Sequence, residues 1–89
     1  MNSVTSARFW RLYRQLPGQI RQAARDAYQQ FVANPAHPGL HFQRLQYDPR
    51  LWSVRITSNY RAVGVRHDDT ITWFWIGDHE EFDKTSSLG

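Results

Sequence analysis

The chain has 89 residues and a mass of 10.5 kDa, so we predict a single domain over residues 1–89, with one core. It contains no cysteine, which excludes disulfides, thiolate metal sites and cysteine nucleophiles. No apolar run reaches the length of a membrane span, and the first residues lack the apolar stretch of a signal peptide. We therefore expect a cytoplasmic protein that does not bind membranes.

Arginine dominates the charge of the chain and is concentrated in its first three quarters. Residues 1–66 contain all ten arginines and two acidic residues, which gives a net charge of +8. Residues 67–89 contain six acidic residues and one lysine, a net charge of −5. Because arginine binds phosphate and carboxylate groups in a bidentate manner, the basic part predicts a polyanionic or acidic partner. The alternative is a solvated surface whose charges pair within the fold.

Two helices are predicted at the start of the chain. Thr5 or Ser6 can cap the first, in which apolar residues then recur every three or four positions. Pro17-Gly18 ends this helix, since a proline disfavours helical geometry at the residue before it. A second helix is predicted over residues 18–33, and two helices joined by so short a break form a helical hairpin.

From residue 42 onward the apolar residues alternate with polar ones, a pattern that predicts β-strands. The last strand is apolar on both faces, so it should have a neighbour on either side. The pairs Asp48-Pro49, Ser58-Asn59 and Asp68-Asp69 are expected to form the turns. The predicted strands are 42–45, 52–56, 60–66 and 70–76, followed by a short helix at 79–84.

These elements predict an α+β fold with an N-terminal helical hairpin packed on one face of a four-stranded antiparallel sheet. Ala62 and Gly64 share one face of their strand, where small residues would let a helix approach closely. Only the short C-terminal helix remains to cover the opposite face. We expect a functional site on that face, lined by Arg55 and Arg61.

The two arginines of that face are the first candidates for chemistry. Arg55 lies between two core residues of its strand and Arg61 begins the next, so they can lie near each other across a short hairpin. Two like charges at that distance destabilise a sheet, which points to a bound anion. The alternative is that Asp48 or the acidic C-terminal segment pairs with them.

Two further features follow in the last strand. The run Trp73–Ile76 is expected in the core and is not predicted to stack on bases. His79 follows the strand, and histidine is the side chain that most often transfers protons near neutral pH. An exposed histidine without a function is the alternative. His37 and His41 lie around Pro38-Gly39, which prevents a helical metal site, so we expect no metal and no cofactor.

Five segments, in their order and spacing, give nearly the whole chain a family resemblance. It resembles the RelE/ParE superfamily of bacterial toxins, which implies a type II toxin–antitoxin system and a RelE-like fold. RelE-like members cut mRNA in the ribosomal A site without metal, whereas ParE-like members inhibit DNA gyrase. A cognate antitoxin wraps and blocks the toxin. The segments are FW–Y–LP at 9–17, NPAHPGLHF at 34–42, LWSVRI at 51–56, YRAVG at 60–64 and WFWIGDHEEFD at 73–83.

The resemblance also implies roles for single residues. Arg61 matches the family position that contacts the scissile phosphate. Arg55 matches a basic strand position where RelE has lysine, whereas Ser53 stands at the other basic position of that strand. His79 resembles a glycine-x-histidine variant that follows the final strand in relatives. Phe82 lies near the place where some members have an aromatic residue that stacks on a base.

We accordingly expect a ribosome-dependent, metal-independent mRNA endoribonuclease that inhibits translation. A gyrase inhibitor without catalysis and a catalytically degenerate toxin are the alternatives. The expected partners are a cognate antitoxin, the ribosome and mRNA. The expected catalytic residues are Arg61, His79 and Arg55, the RNA-binding residues Arg44, Arg50, Arg55 and Phe82, and the antitoxin-binding residues Arg14, Arg21 and Arg25.

Overall fold

The computed structural model describes residues 1–82, in which two α-helices lie on one face of a five-stranded sheet. None of its helices is long and apolar enough to cross a membrane. A last helix begins at residue 79 and is described as far as 82, so the rest of the predicted segment 79–84 lies outside the described residues. The preceding elements are β1 (Asn2–Thr5), α1 (Ala7–Arg14), α2 (Gly18–Ala33), a 3-10 turn (Pro38–Leu40), β2 (Gln43–Leu45), β3 (Asp48–Arg55), β4 (Tyr60–His67) and β5 (Thr70–Asp78).

The helix boundaries follow the predicted signals. Ser6 caps α1, because its hydroxyl accepts a hydrogen bond of 3.1 Å from the backbone N–H of Phe9. Pro17 separates the helices, and its carbonyl accepts the first hydrogen bonds of α2. The predicted bounds of the second helix, 18–33, are confirmed.

The sheet has the strand order β1-β5-β4-β3-β2, and β1 runs parallel to β5. The prediction of a four-stranded antiparallel sheet is therefore wrong, because Asn2–Thr5 add a fifth, parallel strand. That strand is short and largely polar, and its pairing depends on residues about 70 positions away. Trp73 supports it by donating a hydrogen bond of 2.9 Å from its indole N–H to the Ser3 hydroxyl. As predicted, β5 has a neighbour on either side.

A second correction concerns the pair Asp48-Pro49, which was expected to turn the chain. These residues instead begin β3, where Asp48 pairs with Leu45 across an irregular register. Proline is tolerated there because it lies near the start of a strand, where one missing ladder hydrogen bond costs little.

The core lies between the helices and the sheet and is rich in aromatic rings. Phe31 of α2 is 2% exposed and packs edge-to-face against Phe42 and Trp73, with ring centroids 5.0 and 5.4 Å away. Such pairs stabilise a fold by about 0.5–1.5 kcal/mol beyond the burial of their area. The other buried apolar residues of this cluster are Phe9, Ala24, Ala27, Leu40, Val54, Ala62, Ile71 and Ile76.

One extra residue in β5 determines which side chains face this core. Phe74 has no partner on β4, because Trp73 and Trp75 pair with consecutive residues of that strand. This bulge shifts the alternation by one position, so Trp73 and Ile76 both face the helices whereas Trp75 faces the other side. The expectation that the whole run Trp73–Ile76 is core is therefore wrong at Trp75, which is half-buried.

Gly64 is small for a different reason from the predicted one. A Cβ at this position would lie 2.8 Å from Ile71 Cγ1 and 2.9 Å from the carbonyl oxygen of Thr72. A side chain at position 64 would therefore clash with the neighbouring strand β5, and not with a helix. Ala62, by contrast, is 4% exposed and belongs to the core beneath the helices.

Candidate functional site

The face of the sheet opposite α1 and α2, which we call the open face, carries two rows of side chains. Cross-strand partners in an antiparallel sheet point to the same side. Arg55 and Arg61 are direct partners, which confirms the prediction that they lie near each other. The rows are Ser53, Val63 and Trp75, and next to them Arg55, Arg61 and Gly77.

The Arg61 side chain is fixed by the turn between β3 and β4. Its Nη1 donates hydrogen bonds to the carbonyl oxygens of Thr57, Ser58 and Tyr60, at 2.6, 3.2 and 3.0 Å. Hydrogen bonds from an ionised donor are stronger than neutral ones, so these three carbonyls stabilise the guanidinium beside Arg55. They also fix its direction at the end of the sheet.

Asp48 does not neutralise this arginine pair. Its two carboxylate oxygens accept hydrogen bonds of 3.2 and 3.0 Å from the guanidinium of Arg50, and one of them also accepts from the Arg50 backbone N–H at 3.0 Å. The side-chain hydrogen bond from Arg50 holds the pKa of Asp48 below its usual value, and the same bond raises the pKa of Arg50. Arg50 is thereby engaged at the start of β3.

A pocket of about 180 Å³ opens on the open face and brings together three of the predicted site residues. Arg61 and His79 both line it, and Phe82 contributes an aromatic wall. Within residues 1–82, no three histidine, aspartate or glutamate side chains come close enough to hold a metal ion. The other residues of the pocket are Gln43, Leu45, Tyr47, Ser53 and Val63.

His79 is positioned by the turn that also holds Arg61. Its backbone N–H donates to the carbonyl oxygen of Asn59 at 3.0 Å, which ties the end of β5 to the β3–β4 turn. Asp78 then starts the last helix, because its carboxylate accepts a 2.8 Å hydrogen bond from the backbone N–H of Glu80. One turn therefore fixes both the cationic group and the imidazole-bearing residue of the pocket.

Two aromatic residues of the open face were not predicted to belong to a site. The ring centroid of Phe82 lies 4.9 Å from that of Trp75 and 6.4 Å from that of Tyr47. A Cβ on Gly77 would lie 3.0 Å from the Trp75 indole, so the glycine leaves room for this ring. The bulge that exposes Trp75 has no local sequence signal. Tyr47 could have been noticed as a large aromatic residue directly before Asp48-Pro49, a pair that the sequence predicts to form a turn.

The other residues predicted to bind RNA are not brought into the pocket. Arg55 lies on the open face but does not line the pocket. Arg44 pairs with Trp52, whose side chain packs against the core, so Arg44 shares the helix side of the sheet. Arg50 is held by Asp48 at the surface. Arg61, His79 and Phe82 therefore form the compact part of the predicted site.

The residues predicted to bind the antitoxin lie on the two helices, away from the open face. Arg25 donates a hydrogen bond of 2.7 Å to the hydroxyl of Tyr13, which links α2 to α1. It borders a groove of about 230 Å³ that also contains Trp10, a residue 44% exposed. Arg14 ends α1, and Arg21 lies in the first turn of α2.

The sequence profile of the ParE-like toxin domain matches residues 18–84. The chain belongs to the ParE-like toxin family. The resemblance to the RelE/ParE superfamily is thereby confirmed, and the protein is a type II toxin of that superfamily. No curated protein sequence matches the chain.

Solved toxin structures share the fold at low sequence identity. A chain of the RelB–RelE antitoxin–toxin complex from Methanococcus jannaschii superposes with a TM-score of 0.75 at 14% identity, covering 92% of this chain and 96% of that one. The YoeB/ParE toxin from Agrobacterium tumefaciens gives 0.67 at 18% identity, with coverages of 89% and 99%. A free mutant of RelE from E. coli gives 0.67 at 17% identity, with coverages of 96% and 90%. The predicted RelE-like fold is confirmed, with the fifth strand as its correction.

Proposed function

We propose that this toxin is a ribosome-dependent, metal-independent endoribonuclease that cleaves mRNA and thereby inhibits translation. The observation that carries the proposal is that Arg61 and His79 line one pocket on an open sheet face. A cation held by fixed carbonyls next to a group that can transfer a proton suits phosphate chemistry. Binding to gyrase without catalysis requires no such pairing.

In the proposed reaction the ribose 2′-OH attacks the adjacent phosphorus and the P–O5′ bond breaks. The products are a 2′,3′-cyclic phosphate and a 5′-hydroxyl, so one proton leaves O2′ and one is delivered to O5′. Arg61 stabilises the charge that develops on the phosphate, and Arg55 adds a second positive charge beside it. His79 transfers one of the two protons.

We infer dependence on the ribosome from the small number of proton-transfer groups in this pocket. Among the described residues that line the pocket, His79 carries the only imidazole, and we assign it as the proton-transfer group that the toxin supplies. Holding the 2′-OH in line with the departing O5′ contributes a large part of the rate of such a cleavage. We assign that orientation of the strand to the ribosome.

The test is primer extension on mRNA that is translated in a reconstituted system. We expect cleavage only when ribosomes are present. Arg61→Ala should lower the single-turnover rate by about 10²–10³-fold, as loss of one oxyanion donor does, and His79→Ala by about 10²–10⁴-fold. Arg61→Lys should recover only part of the rate, because lysine lacks the planar fork. Arg8→Ala removes the same charge from an exposed position on α1 and should cleave like the wild type.

Two outcomes would contradict the proposal. Intact mRNA together with inhibited supercoiling by DNA gyrase would identify a gyrase inhibitor. Intact mRNA without an effect on gyrase, and no growth arrest on expression, would identify a degenerate toxin. Pulse labelling distinguishes the cases in cells, since the proposed ribonuclease stops protein synthesis first.

We also propose that a cognate antitoxin binds the helical hairpin. The support is the arginine-rich surface around Arg14, Arg21 and Arg25, together with relatives that were crystallised as toxin–antitoxin complexes. Acidic side chains of a partner would be attracted to this surface and would associate faster at low salt. Co-purification with the product of the adjacent gene tests this. Two products that stay separate at low ionic strength would contradict it.

A further inference from the structure

We propose that Tyr47 and Phe82 form a clamp that holds one nucleobase of the RNA between their rings. This inference rests on the proposed function and adds Tyr47 to it as a binding residue. The two rings belong to distant parts of the chain, the β2–β3 connection and the last helix. They meet at the wall of the pocket that Arg61 and His79 line.

The spacing of the two rings suits a single base. Their centroids are 6.4 Å apart and their planes are inclined by 31°. Stacked bases are separated by about 3.4 Å, so a base between two rings needs about 6.8 Å. The two rings therefore have to move slightly apart and turn toward parallel to admit a base. Stacking accepts any base, because every base has a π-face, and contributes about 1–3 kcal/mol.

The two rings differ in how they are held. Phe82 packs against Trp75 at a centroid distance of 4.9 Å, so one wall of the clamp is supported from within the protein. Tyr47 is 54% exposed, and its hydroxyl makes no hydrogen bond within residues 1–82. An aromatic ring in that position contributes little to folding. An exposed ring opposite Phe82 is available to stack on a ligand.

The clamp also lies where the reaction needs a base to be held. Tyr47 and Phe82 line the same pocket as Arg61, so a nucleotide whose base is stacked there has its phosphate within reach of the guanidinium. Base stacking then sets the position of the strand along the open face, and the arginine contacts the backbone.

The experiment uses RNA in which 2-aminopurine, a base whose fluorescence is quenched by stacking, is placed in turn at each position around the cleavage site. A 2′-O-methyl group blocks cleavage, and the RNA is presented both as a free hexanucleotide and in the A site of a ribosome complex. Wild-type toxin should quench one position. Tyr47→Ala should abolish that quenching and weaken binding of the free hexanucleotide by about 5- to 150-fold.

Matched variants separate stacking from other causes. Tyr47→Phe should bind within about twofold of wild type, because the ring and not the hydroxyl makes the stack. Tyr28→Ala removes a similarly exposed tyrosine from α2, 42% exposed, and should leave binding unchanged. All variants are compared by thermal melting, where Tyr47→Ala should match wild type.

The outcomes for the clamp and for the ribonuclease are distinguishable. If Tyr47→Ala cleaves mRNA at the wild-type rate and quenches 2-aminopurine as the wild type does, the clamp is wrong and the proposed ribonuclease stands. Tyr47-dependent quenching in a toxin that never cleaves would overturn the ribonuclease and leave the clamp. If the wild-type toxin quenches no position in either form of the RNA, the clamp is wrong.

Discussion

The two faces of the sheet use aromatic residues in opposite ways. On the helix face, Phe31, Phe42 and Trp73 pack edge-to-face in a closed cluster. On the open face, Trp75 and Phe82 form a small cluster that leaves a pocket beside it. Burial on the first face supplies the stability that allows the second to keep two arginines side by side. The fold thus places its stabilising core and the candidate site on opposite faces of one sheet.

Of the variants considered, Phe31→Ala should lower the stability of the fold most, because it opens a cavity in the closed aromatic cluster of the helix face. Removing a buried phenylalanine costs about 3–5 kcal/mol, which is a large part of the stability of a small domain. Urea denaturation measures the loss. Val32→Ala, at the neighbouring position that is 63% exposed, is the control and should change stability by less than about 0.5 kcal/mol. Equal effects of the two variants would mean that α2 does not close the core.

Gly64→Ala should have the next largest effect, by overpacking the helix side of β4. The new methyl group would meet the carbonyl oxygen of Thr72 at 2.9 Å, and backbone in a paired strand cannot move aside easily. We expect a loss of about 1–3 kcal/mol. A melting temperature equal to that of the wild type would show that β4 and β5 can separate here without cost.

Gly77→Ala is the matched change on the open face and should cost clearly less than Gly64→Ala. Its methyl group would meet the far edge of the Trp75 indole at 3.0 Å, and a half-buried ring can turn where a backbone carbonyl cannot. Near-UV circular dichroism should report the displaced ring. A stability loss as large as that of Gly64→Ala would mean that both faces are equally rigid.

The smallest predicted effect is a pH dependence from Asp48. The hydrogen bond from Arg50 lowers the pKa of this carboxyl in the folded state, so its contribution is present above the unfolded value near 3.8. The contribution is lost as the pH falls through the folded pKa. Asp48→Asn should therefore differ from the wild type in urea midpoint at pH 7 and converge with it as the pH falls below 3.8 and through the folded pKa. If the urea midpoints of Asp48→Asn and the wild type differ by the same amount at every pH, the Asp48–Arg50 ion pair is not the source of the difference.

The sequence contains local information that predicts much of this fold. The cap at Ser6, the break at Pro17 and the alternation in β3 and β4 are each set by neighbouring residues, and each was found in the structure. The strand β1 was missed because its polar residues show no core-facing pattern. The bulge at Phe74 was missed because register depends on the partner strand.

The candidate site was predictable to a similar degree. Arg55 and Arg61 follow from strand alternation and a short hairpin, and the structure places them opposite each other. The strand that contains Arg44 is only three residues long, too short for its own pattern to show which face each side chain takes. The proximity of Tyr47 to Phe82 joins the β2–β3 connection to the last helix, and no spacing along the chain could indicate it.

The parallel pairing of β1 with β5 has a consequence for the synthesis of the toxin. The first strand finds its partner only after residue 73 has been made, since the pairing runs from Asn2–Thr70 to Thr5–Trp73. Contacts of such long sequence separation form late and slow the folding of a domain. His79 follows the same strand, so a nascent chain has no assembled pocket until β5 and the residues after it have been made. The pocket therefore forms only after both helices and the strands β1 to β4 have been synthesised.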